Sequence, residues 1–267
     1  MRVAPTLRSL VRSVRVVVLL VAAVVDCWVR RPRVGAEGAV RIHVWCRRIV
    51  QAFDVECVVE GELPVNGAVV SNHLSYLDIL LYGAAQPFVM VAKSEVRGWP
   101  LLGWLTAQGG TVYVTRGGEP STYPGVNAAM AEAYRSGLPV LFFPEGTTTD
   151  GAGVLPFRRG LFHSVLSNDV PLRTAALRYW LDEENEGATI SEDVCWWGDA
   201  LLGPHLFRLL GLRGLRSRIC FGDEVVERAD RFVLSEGARA VVEEMYEGLG
   251  AGVMVQRARE AELVEAL

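Results

Sequence analysis

The chain has 267 residues, of which 51% are apolar or aromatic and 22% charged, with net charge −4 and mean hydropathy +0.24. That length can bury a sizeable core in one larger domain. The apolar content and near-balanced charge exclude intrinsic disorder, and aperiodic glycine and five cysteines without a CxxC exclude collagen-like and disulfide-rich classes. The charge is unevenly distributed. Residues 1–50 carry ten arginines against Asp26 and Glu37, a net of +8, while the rest of the chain nets −12. A basic head on an acidic body predicts an anionic surface held by the head, and argues against nucleic acid along the body.

In the head, Val16–Val25 is an uncharged run of ten residues, about half the roughly 20 a spanning helix needs. A signal peptide has a similar start, but Asp26, Trp28 and Arg30-Arg31 stand where small cleavage-site residues belong. From Val40 to Phe53, Ile42, Trp45, Cys46, Ile49, Val50 and Phe53 recur at helical spacing, with Arg41, Arg47 and Arg48 elsewhere around the helix. Two helices joined near Arg31-Pro32-Arg33 would lie in a headgroup layer, arginines to phosphates and apolar side chains to acyl chains. A core-packed hairpin with solvated arginines is the alternative.

The body, from residue 54, alternates strand-like and helix-like segments. Strands are predicted at 68–71, 88–92, 111–115, 139–143, 172–177 and 218–221. Helices are predicted at 76–85, 121–135 (Ser121 capping), 157–167, 200–212 (Asp199 capping) and 230–249. This β-α alternation predicts an α/β fold, a mostly parallel sheet flanked by helices, preceded by an N-terminal membrane-associating helical hairpin. The division expected is 1–53 for membrane association, 54–252 for the main domain and 253–267 for a helical tail. His43 and Cys46 alone stand at a metal-ligand spacing, which is one pair and not a site, so no metal is expected.

Ligands of such sheets gather where strands end and helices begin. After the strand at 68–71 comes Asn72-His73-Leu-Ser-Tyr-Leu-Asp78. Five residues on one helix differ by about 140° around its axis, so His73 and Asp78 meet only if His73 sits in the preceding turn. Asp78 would then fix the imidazole tautomer. Alone, the pair reads equally as a capping histidine and a first-turn aspartate favoured by the helix dipole. After the strand at 139–143 comes Pro144-Glu145-Gly146-Thr147, a carboxylate at a strand end that is either cleft-facing or a solvated turn. After the strand at 111–115 comes Arg116, whose planar fork suits a phosphate and equally suits a surface ion pair.

These blocks in this order resemble the glycerolipid acyltransferases, the 1-acylglycerol-3-phosphate (lysophosphatidate) acyltransferase family. The resemblance covers roughly residues 65–225. N-H-x4-D matches Asn72-His73…Asp78, G-x-[IV]-[FY]-[IV]-x-R matches Gly110–Arg116, F-P-E-G-T matches Phe143–Thr147, and a V-P-[IVL] step matches Val170-Pro171-Leu172. The resemblance implies a membrane-associated O-acyltransferase of phospholipid biosynthesis. His73 would be the general base, Asp78 its orienting carboxylate and Lys93, the chain's sole lysine, the oxyanion stabiliser. Asn72, Arg116, Glu145, Gly146 and Thr147 would bind substrate. It implies a lysolipid acceptor, acyl-CoA or acyl carrier protein as donor, no cofactor, and a place at the cytoplasmic face of a membrane bearing anionic lipids. There is no G-x-S-x-G elbow to form an acyl-enzyme. Lysophosphatidate-acylating members commonly follow F-P-E-G-T with arginine and serine, where this chain has Thr148, Thr149 and Asp150. Cys195-Trp-Trp-Gly-Asp199 is similar to a subgroup that includes lyso-ornithine-lipid acyltransferases. The alternatives are therefore another lysolipid acceptor or a non-catalytic lipid-binding member. Trp196 and Trp197 are expected in the core or at an acyl interface, and His163 and His205 to be packed.

Overall fold

A computed structural model describes residues 3–115, 123–182, 184–225 and 229–265. Two helices, α1 (Val3–Arg30) and α2 (Ala36–Phe53), lead into β1 (Val55–Glu60) and β2 (Ala68–Ser71). Then follow α3 (Tyr76–Ala85), β3 (Val89–Lys93), α4 (Leu102–Gln108), β4 (Val112–Val114), α5 (Tyr123–Arg135) and β5 (Val140–Phe142). The remainder is α6 (Phe162–Ser167), β6 (Leu172–Leu181), α7 (Ile190–Asp193), α8 (Leu202–Leu209), β7 (Leu215–Glu224) and α9 (Arg231–Glu265).

The seven strands form one sheet in the order β1-β7-β6-β2-β5-β3-β4. From β6 to β4 every pairing is parallel; β7 runs antiparallel to β6 and carries β1 parallel to itself. β2 and β5, at the centre, are buried at every position, as strands covered on both faces must be. Successive residues of a strand point to opposite faces. On β6, Arg178 reaches Tyr246 of α9 while Tyr179 reaches Asp78 of α3, so these helices cover opposite faces.

Several boundaries differ from the sequence reading. β1 was not anticipated: Glu56, Val58 and Val59 lie exposed on an edge strand, so its periodicity carries little core signal. The helix expected from Phe157 starts at Phe162, because Arg158 N–H donates to Pro144 O and holds that stretch extended. α8 begins at Leu202 after Leu201, so Asp199 does not cap it. Asp230 does cap α9, accepting from the N–H groups of Phe232 and Val233. His163, expected to be packed, is exposed.

The head is tied into the body. Arg8 donates to Gly211 O, and Arg12 to Leu210 O and Leu212 O at the C-terminal end of α8, where carbonyls lack helical partners. Asp26 accepts from Trp45 Nε1 and Arg41 of α2 and from Arg30. Burial works against its ionised form, and these three donors outweigh it, holding the carboxyl down at about 2. Val16, Ile49, Val50, Ala52 and Phe53 join the same core as the sheet.

Candidate active site

Strand register assembles the site. β2 sets Val70 beside Phe142 of β5, and β3 sets Met90 beside Leu141. Just past these pairings His73 N–H donates to Glu145 Oε1, and Lys93 is the last residue of β3, which neighbours β5. His73, Glu145 and Lys93, far apart in sequence, thus share the C-terminal rim of the parallel sheet.

His73 lies in the turn before α3 and Asp78 in the first turn of that helix. His73 Nδ1 is 2.8 Å from Asp78 Oδ2, which also accepts from the N–H groups of Leu74 at 2.6 Å and Ser75 at 3.0 Å. A carboxylate can only accept here, so Nδ1 carries the proton and Nε2 keeps its lone pair. Asp78 is completely buried and its other oxygen accepts from Tyr179 O–H at 2.5 Å. Four donors on one buried carboxylate offset the desolvation of its charge. Phe143, the first residue of the F-P-E-G-T block, stacks on the imidazole with centroids 4.0 Å apart and planes 11° from parallel.

Glu145 and Asn72, expected to face substrate, are turned inward. Glu145 is 3% exposed; its oxygens accept from His73 N–H at 2.7 Å and Leu155 N–H at 2.9 Å. Burial pushes its carboxyl up to about 7 against the pull of those N–H groups and of Arg239. Asn72, 1% exposed, donates from Nδ2 to Leu177 O and accepts at Oδ1 from Leu177 N–H, both at 2.9 Å. These residues brace the histidine turn against β5 and β6. For Glu145 this is neither the cleft-facing nor the solvated-turn reading of the sequence, because its partners come from the neighbouring strand end and loop.

Gly146 has φ +70°, and a Cβ there would stand 2.6 Å from Arg158 Nε. The Arg158 side chain therefore lies directly over this glycine, close to Glu145. Thr147 is exposed beside it, and Lys93 is exposed at the end of β3. Arg116 lies outside the described residues. Thr149, in the stretch that replaces the family's arginine and serine, is 7% exposed and its N–H donates to His73 O. Cys195 and Trp196 lie behind the site. Trp196 N–H donates to Leu74 O, and His205, buried, links Tyr76 O–H to Cys195 O. Trp197 is exposed. Among the described residues no cluster of His, Cys, Asp and Glu is placed to hold a metal ion.

A histidine oriented by a buried carboxylate at the rim of a parallel sheet, with no serine elbow, suits direct group transfer to a hydroxyl. Residues 55–178 match the protein-family model described as Acyltransferase. The chain belongs to that acyltransferase family, and it is an acyltransferase enzyme.

Its relatives narrow the neighbourhood. It is 34% identical over 206 residues to the 1-acyl-sn-glycerol-3-phosphate acyltransferase of Neisseria meningitidis, spanning 73% of this chain and 78% of that one. It is 35% identical over 217 residues to the lyso-ornithine lipid O-acyltransferase of Pseudomonas aeruginosa, spanning 78% and 81%. The crystal structure of the 1-acyl-sn-glycerophosphate (LPA) acyltransferase PlsC from Thermotoga maritima shares the fold. It matches with TM-score 0.59 at 20% identity, over 79% of this chain and 78% of that one. The motif blocks located His73, Asp78 and the F-P-E-G-T turn. Tyr179 escaped them because the strand read from sequence stopped at Leu177, and the stacking role of Phe143 has no one-dimensional signature.

Proposed function

We propose that the chain transfers a fatty acyl group from a thioester, acyl-CoA or acyl carrier protein, to the hydroxyl of a lysophospholipid of the 1-acylglycerol-3-phosphate type. The observation that carries this reading is the His73–Asp78 pair, with Nδ1 committed to the carboxylate. Nε2 takes the proton of the acceptor hydroxyl as its oxygen attacks the thioester carbonyl. The tetrahedral oxyanion collapses, the C–S bond breaks, and the thiolate leaves, taking up the proton from the imidazolium. Asp78 stabilises that imidazolium, and the Lys93 ammonium, at the end of β3, faces the oxyanion. Arg116, Thr147 and the close backbone at Gly146 receive the headgroup, while Glu145 and Asn72 hold the rim rigid. The test is lysolipid-dependent release of free CoA: His73→Ala, folded as judged by its melting curve, loses turnover by at least about a hundredfold. Near wild-type turnover in that variant overturns the mechanism.

A second acceptor, a lyso-ornithine or other lysolipid without a phosphomonoester, is favoured by Thr148, Thr149 and Asp150 where an arginine and a serine are common. Turnover across a panel of lysolipids decides between them.

The same reading places the enzyme on a membrane. No helix among the described residues is long and apolar enough to cross one. One face of α1 nevertheless exposes Leu10, Val14, Val17, Val18, Val21 and Val25, each 44–59% accessible, at helical spacing. Arg15 and Arg30 of α1, Arg31 just after it, and Arg47 and Arg48 of α2 are exposed. An apolar stripe with arginines around it suits the headgroup–acyl boundary of an anionic leaflet at the cytoplasmic face.

A further inference from the structure

The outer oxygen of Asp78 is held by a residue that no motif block contains. Tyr179, 3% exposed on β6, donates its hydroxyl to Asp78 Oδ1 at 2.5 Å across 101 residues of sequence. His73, Leu74 and Ser75 all bind Oδ2, and those three contacts by themselves leave the carboxylate plane free to swing about that oxygen. We propose that Tyr179 is a positioning residue for acyl transfer, fixing the Asp78 carboxylate and through it the orientation and proton affinity of His73. This rests on His73 acting as the base.

The physics has two parts. Geometrically, a second anchored oxygen locks the carboxylate plane, so Nε2 is aimed in one direction at the hydroxyl it must deprotonate. Electrostatically, the phenol dipole draws charge from Asp78 in a buried site, where such a bond is strong. That weakens the attraction between the carboxylate and the imidazolium formed when His73 takes up a proton. Tyr179 itself stays protonated, since burial pushes its hydroxyl well above the ordinary range. The other titratable groups that interact with Asp78 are Tyr82 on its own helix, Glu145 after β5, Cys195 after α7 and Tyr246 on α9. Burial raises all four; Glu145, at about 7, is the one that titrates near neutrality, and the groups that shift it are Leu155 N–H, His73 N–H, Asp78 and Arg239 rather than Tyr179.

The full-length protein on lipid vesicles is assayed from pH 5 to 9, wild type against Tyr179→Phe, together with melting curves. Loss of the phenol strengthens the imidazolium–carboxylate pair, so the acid limb of kcat/KM moves up by about half a pH unit or more. On the plateau, kcat falls on the order of tenfold and KM for the acceptor stays within about twofold. An acid limb superposing on wild type, with only the melting temperature lowered, overturns the inference. If Tyr179→Phe does not fold, 3-fluorotyrosine at 179 keeps the shape and strengthens the donor. The limb then moves to lower pH, and an unmoved limb is again fatal. His73→Ala separates the two claims. If that variant is dead while the Tyr179 profile stays put, only this inference falls; if it turns over normally, the proposed mechanism falls with it.

Discussion

A histidine gains direction as a base when one nitrogen is committed to a fixed partner, and Asp78 supplies that commitment with both of its oxygens held by donors. An amide at 78 cannot accept all four donors, so Asp78→Asn must turn an NH2 toward an existing N–H or O–H, or release the imidazole. The expected result is a fall in kcat of about 10²–10⁴-fold, read by CoA release, with acceptor KM little changed. Glu145 works beside it on the backbone. Glu145→Ala leaves His73 N–H and Leu155 N–H buried without their acceptor, a loss of about 2–5 kcal/mol measurable by urea unfolding. Glu145 also makes stability depend on pH. Its folded pKa, about 7, lies above the usual carboxyl value, so the folded state binds the extra proton. Stability is therefore greatest below the unfolded value and declines as pH rises through about 7. In Glu145→Ala that decline between pH 5 and 7.5 should flatten, as seen in melting temperatures across the range.

At the scale of elements, the turn between β2 and α3 is held from three sides. Asn72 ties it to β6, Glu145 to the turn after β5, and Thr149 N–H accepts the task of binding His73 O. Asn72→Ala removes both bonds to Leu177 and leaves a buried donor and acceptor unpaired between two central strands. A loss of about 2–4 kcal/mol is expected by denaturant unfolding, with surviving folded protein also slowed in turnover as the turn loosens. The sequence alone made β2, β5 and most helices legible, because buried parallel strands are continuous apolar runs with helical segments alternating between them; Ser121, read as the cap of α5, lies outside the described residues. The sequence did not reveal β1, an exposed edge strand, nor the full length of β6, whose apolar run is interrupted by Arg178. Arg178 has a reason legible only in space: its guanidinium stacks on Tyr246 and donates to that residue's carbonyl.

At the scale of the molecule, the basic head has two jobs that composition merges into one number. Arg8, Arg12, Arg30 and Arg41 are engaged by contacts within the protein, while Arg15, Arg31, Arg47 and Arg48 remain exposed. α1 is apolar on two sides: Val16, Ala23 and Cys27 are buried against the protein, and Leu10, Val14, Val18 and Val21 face outward. Removing the whole head would strip core residues, so the membrane proposal is best tested on its outer face. Val14→Asp with Val18→Asp should release the protein from anionic vesicles in a flotation assay while its melting temperature changes little; an unchanged bound fraction would refute the membrane face. By itself the sequence determined the family, the histidine–aspartate spacing and the alternation of strands and helices, because these are written in local order and periodicity. Only the tertiary structure decided that Glu145 and Asn72 hydrogen-bond to the backbone, that Tyr179 completes the Asp78 shell, and which arginines of the head are exposed. Each of these depends on residues up to 203 positions apart meeting through strand register and helix packing, which no local pattern encodes.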